Sequence, residues 1–96
     1  MDELDQIRLN INDIDTRIAD LFVQRMKESR AVIEYKIAKG LPVEDLSRER
    51  EVLEREAQLI EDESIRDYYI RILKEMMSVS KDYQKHLMSE MTRTQK

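Results

Sequence analysis

A chain of 96 residues with one glycine and one proline has room for one small domain, residues 1–96, and for very few turns, so helices must dominate it. Charged residues are 40% of the chain at a net charge of -4, without a basic run, which argues against a binder of nucleic acid or of a membrane surface. The absence of cysteine removes disulfides and thiol chemistry, and a single histidine, His86, expected at the surface, leaves no histidine metal site within one chain. The N-terminus reads MDELDQ, with no basic segment leading into an apolar run, and no apolar stretch approaches the ~20 residues that span a bilayer. A cytoplasmic protein is the expectation.

The first helix is predicted over Asp2–Lys39. Alternating steps of three and four from Leu4 meet Ile7, Ile11, Ile14, Ile18 and Leu21, and the next step lands on Arg25. Lys36 likewise follows Val32 and Ile33, and Arg8 stands between Leu4 and Ile11, so three cations share faces with apolar neighbours. Charges taken out of water need a counter-charge. For any one of them an internal salt bridge or a side chain snorkelling to water is the plainer explanation. Three on one helix point to an anionic ligand.

Gly40 and Pro42 close this helix together, the glycine by taking the left-handed conformation and the proline by holding Leu41 away from helical geometry. A helix of this span is about 57 Å long, more than a compact domain of this size is wide. A second copy pairing with it in a symmetric dimer would cover its seam, and a monomeric antiparallel bundle with a bent third helix is the alternative.

The connection GLPVEDLS leads to a second helix with Ser47 expected as its N-cap, and Val52, Leu53, Ala57 and Ile60 as its apolar face. Glu49 lies on that face, where it is either a first-turn carboxylate favoured by the helix dipole or a site residue. The acidic run Glu61–Glu63 is expected to end this helix, and Ser64 with Asp67 to form a capping box opening a third. The stripe of the third helix is Ile65, Tyr69, Ile72, Leu73, Met76, Met77, Tyr83, Leu87 and Met91, with Ser80 and Gln84 inside it, and the tail TRTQK is expected to fray. The methionines read as core filling. The predicted architecture is all-α, with helices of roughly 38, 14 and 28 residues, long, short and long.

On an ideal helix Arg25 and Lys36 are about 16 Å apart along the axis and about 20° apart around it, so both can reach one small anion. Arg8 lies about 25 Å from Arg25 and can join that anion only from a second, antiparallel copy. With no Cys, one His and no Gly-rich loop, what remains is fixed cations, amide and hydroxyl donors and a few carboxylates. Such a set suits binding a dianion, or a reaction that runs on positioning and electrostatic stabilisation.

Several segments resemble the all-helical chorismate mutases: Ile7-Arg8 followed by INDID, the Gln24-Arg25 pair in mid-helix, Lys36 near the helix end, PVEDLSRE after the turn, and Ser80 with Gln84 in the third helix. The resemblance implies an intertwined helical homodimer that rearranges chorismate to prephenate in phenylalanine and tyrosine biosynthesis, with no cofactor. Carried over residue by residue, it implies that Arg8 from the partner chain and Arg25 hold the substrate carboxylates, with Arg48 and Ser80 completing those contacts. Lys36 and Gln84 would donate to the ether oxygen whose bond breaks. Glu49 and the backbone of Asp45 would hold the ring hydroxyl, and Val32 and Met77 would line the apolar wall, Met77 being bulkier than the branched aliphatic usual there.

Two other readings stand beside this one. An isochorismate pyruvate lyase has a related helical fold and a similar cationic pocket. A non-catalytic dimerisation module would pair Arg25 and Lys36 with Glu28 or other carboxylates.

Overall fold

In the computed structural model, which describes residues 2–94, the chain forms three α-helices: α1 (Glu3–Lys39), α2 (Leu46–Ala57) and α3 (Glu63–Thr94). The limits of α1 follow from its end residues. Asp2 accepts the Asp5 N–H at 2.8 Å as N-cap. Gly40, at φ 68°, closes the helix by bonds from its own N–H to the Ile37 carbonyl and from the Leu41 N–H to the Lys36 carbonyl.

The other boundaries differ from expectation, and at the two helix starts the reason is that a carboxylate displaces a hydroxyl as cap. Ser47 is not the N-cap of α2. Asp45 is, accepting the Arg48 N–H at 3.0 Å, so the helix starts earlier than expected and Ser47 lies within its first turn. At the other end α2 stops at Ala57 and the chain turns through Gln58 and Leu59, which leaves Ile60 outside the helix. The acidic run therefore does not end α2 but belongs to the connection and the start of α3. Nor is Ser64 a cap: it is inside α3 and donates to Asp62 from its N–H at 2.9 Å and its hydroxyl at 2.6 Å. An anionic acceptor at a helix N-terminus gains from the dipole as well as from the bond, which a serine hydroxyl does not.

Those two bonds, the hydroxyl first and the backbone N–H second, hold the Asp62 carboxyl below the usual carboxylate range. A lowered pKa in the folded state contributes stability that is complete above the unfolded value and is lost as pH falls through the folded one. Asp62→Ala is thus expected to lower the Tm at neutral pH. The wild-type and variant melting curves should converge in acid, and a Tm gap independent of pH would rule out the ionised cap as its source.

The tail does not fray where expected. Thr92 is helical and bonds back to the Met88 carbonyl at 2.7 Å, and Arg93 pairs with Glu90 at 3.2 Å, while Gln95 and Lys96 lie outside the described residues. With its earlier start this gives α3 32 residues, beside 37 for α1 and 12 for α2.

The helices form a flat, long array of 60 × 29 × 14 Å, and the radius of gyration of 17.4 Å exceeds the about 12.5 Å of a compact chain of this length. Among the described residues the buried apolar side chains are Ile33, Val52, Leu73 and Leu87, of which only Ile33 and Leu73 are completely enclosed. All lie where the C-terminal half of α1, α2 and α3 meet. The bonds from Arg25 to Ser80 and from Gln84 to Ser29 advance together along both helices, so α3 runs here in the same direction as α1 and not antiparallel to it. The short α2, which packs on α3, carries the chain back to the start of α3.

The N-terminal half of α1 has no such cover. Every described residue from Asp2 to Gln24 is exposed, and the seam residues Leu4, Ile7, Ile11, Ile14, Ile18 and Leu21 are 45–62% exposed. Ile65 and Ile72, expected in the apolar stripe of α3, are 51% and 62% exposed, because α1 and α2 pack on the side of α3 that carries Leu73 and Leu87. No helix among the described residues is long and apolar enough to cross a membrane.

Candidate active site

Where the second half of α1, the start of α2 and the middle of α3 converge, they enclose an open cavity of about 220 Å³. Helical spacing brings one face of α1 to it: Arg25, Ser29, Val32 and Lys36 follow at intervals of four, three and four. The connection supplies Val43 and Asp45, α2 supplies Arg48, Glu49 and Val52, and α3 supplies Met77, Ser80, Lys81 and Gln84. Nine of the ten residues singled out in the sequence meet here, all but Arg8. Arg8 is on the exposed half of α1 and makes neither a hydrogen bond nor an ion pair among the described residues.

The two α1 cations are bound only to neutral acceptors. The half-buried Arg25 donates from Nη1 to the hydroxyl of Ser80, itself 8% exposed, and Lys36 donates from Nζ to the Val43 carbonyl at 2.9 Å. Neither has a carboxylate partner among the described residues, and Glu28, the acid available on α1, points to solvent. The amide of Gln84 donates one hydrogen to the Ser29 carbonyl at 2.9 Å and keeps a second. All three residues hold N–H donors in reserve at the cavity wall.

Around the mouth, Arg48 is exposed and pairs along its own helix with Glu51 at 3.1 Å. Asp45 spends its carboxylate on the α2 cap and its carbonyl on the Glu49 N–H at 3.1 Å, while its own N–H has no partner among the described residues. The Glu49 carboxylate is not merely a first-turn acid beside the dipole: it accepts from Lys81 Nζ at 2.5 Å, and Glu44 accepts from the same ammonium at 3.2 Å. These bonds, Glu49 first and Glu44 second, hold the Lys81 ammonium above its ordinary pKa range.

The side chains lining the cavity include Arg25, Lys36, Arg48 and Lys81 against Asp45 and Glu49, an excess of two positive charges. Val32, Val43, Val52 and Met77 supply an apolar wall. No cluster of three or more potential metal ligands is present among the described residues, and His86 is exposed. Such a wall can bind a dianion and place donors on an atom that gains negative charge. It holds no nucleophile positioned by a base.

Four of the lining residues, Ser29, Val43, Val52 and Lys81, were not among the expected site residues, Val52 having been expected only on the apolar face of the second helix. Ser29 follows Arg25 by one turn and Val52 follows Arg48 by one turn, so helical spacing contained both. Lys81 follows Met77 by four and precedes Gln84 by three, so helical spacing contained it as well, whereas Val43 enters from an irregular segment that periodicity does not signal.

The model of the family described as chorismate mutase type II matches residues 7–85. A chorismate mutase of Methanocaldococcus jannaschii is 28% identical over 91 residues, covering 94% of this chain and 92% of the relative. No solved structure matches the chain significantly. The family match reaches into all three helices, from the residue before Arg8 to the residue after Gln84: the chain belongs to the chorismate mutase type II family, whose reaction is an isomerisation.

Proposed function

We propose that the cavity binds chorismate and rearranges it to prephenate, and that the working site is completed by a second copy of the chain. The reaction is unimolecular: one carbon–oxygen bond of the ether breaks as a carbon–carbon bond forms within the same molecule. It needs the substrate folded into a reactive conformer and donors aimed at the oxygen that gains negative charge. Arg25, with Arg48 and Ser80, holds the carboxylates. Lys36 and Gln84 turn their spare N–H donors to the ether oxygen. Glu49 accepts from the ring hydroxyl, and the free N–H of Asp45 donates to the same oxygen, while Val32 and Met77 press the folded substrate from the apolar side.

The observation that carries this reading is the pair of cations, Arg25 and Lys36, facing the cavity without a counter-charge. The dimerisation-module reading expects carboxylate partners for them, and among the described residues neither has one. The homodimer is supported by the uncovered seam of α1, and Arg8 on that seam, unpaired among the described residues, is the cation a partner would bring to the open cavity.

Following chorismate loss by ultraviolet absorbance with identification of the product tests the activity. Prephenate is expected, whereas release of pyruvate from isochorismate, with chorismate untouched, would make the protein a lyase. Within the same assay, Gln84→Glu should move activity to lower pH, most strongly in kcat, because a carboxyl donates only when protonated and an amide donates at any ordinary pH. An unchanged pH profile would remove Gln84 from the ether oxygen.

A further inference from the structure

The roles above leave one charged residue of the cavity unused. Lys81 projects from α3 with its side chain 24% exposed, and its ammonium is shared by Glu49 at the start of α2 and Glu44 in the connection, so three segments of the chain meet at one nitrogen. Both bonds fall on a single oxygen of each carboxylate, Oε1 in Glu49 and Oε1 in Glu44. The second oxygen of Glu49 has no partner among the described residues.

A glutamate in the first turn of a helix has several rotamers open to it, and fixing one costs side-chain entropy unless a bond holds it. The position is also electrostatically awkward. A carboxylate beside a site for a dianion repels the ligand, and Asp45 and Glu44 add to the negative charge nearby. A second recess shares Glu49, Met77 and Lys81 with the substrate cavity and adds Leu53, Ser78 and another cation, Lys74, to the surroundings of the Glu49 carboxylate.

We propose that Lys81 is a positioning residue for substrate recognition: its ammonium pins one oxygen of Glu49 so that the other faces the cavity to accept the ring hydroxyl, and it cancels the carboxylate's charge towards the incoming dianion. This rests on the proposed placement of the hydroxyl at Glu49. Lys81 itself need not touch the substrate, and Glu44 serves as its second anchor, tying the connection that carries Asp45 to α3.

The test compares chorismate with an analogue lacking the ring hydroxyl. Lys81→Met, close in volume and without charge, should lower kcat/KM on chorismate by about tenfold or more, mainly through KM, as for the loss of a hydrogen bond to a charged group. On the analogue the fall should be under about twofold. Lys81→Arg keeps the charge and can still bridge both carboxylates, and it should recover most of the loss. An equal fall on both substrates, in a Lys81→Met protein of wild-type helical content, would overturn the proposal. Loss of the fold in both Lys81→Met and Lys81→Gln would overturn it too, by making the ion pair a requirement of folding. Glu49→Gln in parallel separates this inference from the reading beneath it. If that variant discriminates between the substrates and Lys81→Met does not, only the role of Lys81 falls; if Glu49→Gln fails to discriminate, the hydroxyl was misplaced.

Discussion

Lys36→Ala should rearrange chorismate about a thousandfold more slowly than the wild type in kcat, the scale on which removing a donor to a developing negative charge acts. Arg25→Ala should also be inactive under ordinary assay conditions, but with a different kinetic signature. A cation on a carboxylate that is charged throughout binds ground state and transition state alike, so its loss falls first on KM, whereas a donor to the ether oxygen is worth most in the transition state and its loss falls on kcat. Neither change should unfold the protein. Each residue gives up one bond to a neutral acceptor, Ser80 or Val43, and its removal relieves a cluster of like charges that no carboxylate offsets for Arg25 and Lys36. Helical content by circular dichroism should match the wild type and the Tm should hold or rise. Turnover by Lys36→Ala within about threefold of wild type would take that residue off the reacting oxygen.

The other large effect is an activity recovered from two inactive proteins. Arg8 and Arg25 are seventeen residues apart on one continuous helix, about 25 Å, and cannot reach one ligand from the same chain. In a symmetric dimer with shared pockets, Arg8→Ala and Arg25→Ala homodimers each lack one arginine in both pockets. Unfolded together and refolded, they should assort so that half of the dimers are mixed. One pocket of each mixed dimer then has Arg25 from one chain and Arg8 from the other, while its twin has neither, so activity should approach about a quarter of wild type per site. Each variant refolded alone should recover nothing. If mass measurements showed mixed dimers and the mixture stayed inactive, Arg8 would be a structural charge on the α1 seam and the pocket would belong to one chain.

Helical periodicity made much of the site legible before any fold was known. Arg25, Val32 and Lys36 fall on one face of α1 by spacing alone, and their conflict with an apolar stripe is what draws attention to them. The family resemblance, not the spacing, picked out Asp45 and Arg48 and gave Glu49 its role. Ser80 and Gln84 were visible as polar interruptions one turn apart, but their facing Arg25 and Ser29 depends on the register of α3 against α1, which is a property of two surfaces packing and not of either helix. Cap positions misled for a local reason: serine is an acceptable N-cap, but Asp45 and Asp62 stood two residues away with stronger acceptors.

The sequence by itself determined that the protein is helical, that its first helix ends at Gly40–Pro42, and that this helix carries an apolar seam interrupted by cations. These are consequences of side-chain period, of a left-handed glycine and of charge counting, all of them short-range. Only the tertiary structure decided that α3 runs parallel to α1, that the core is confined to one end of the array, and that Lys81 meets Glu44 and Glu49 across three segments of chain. Those contacts join residues more than thirty positions apart, and no periodicity within one helix encodes the angle at which another helix presents its face.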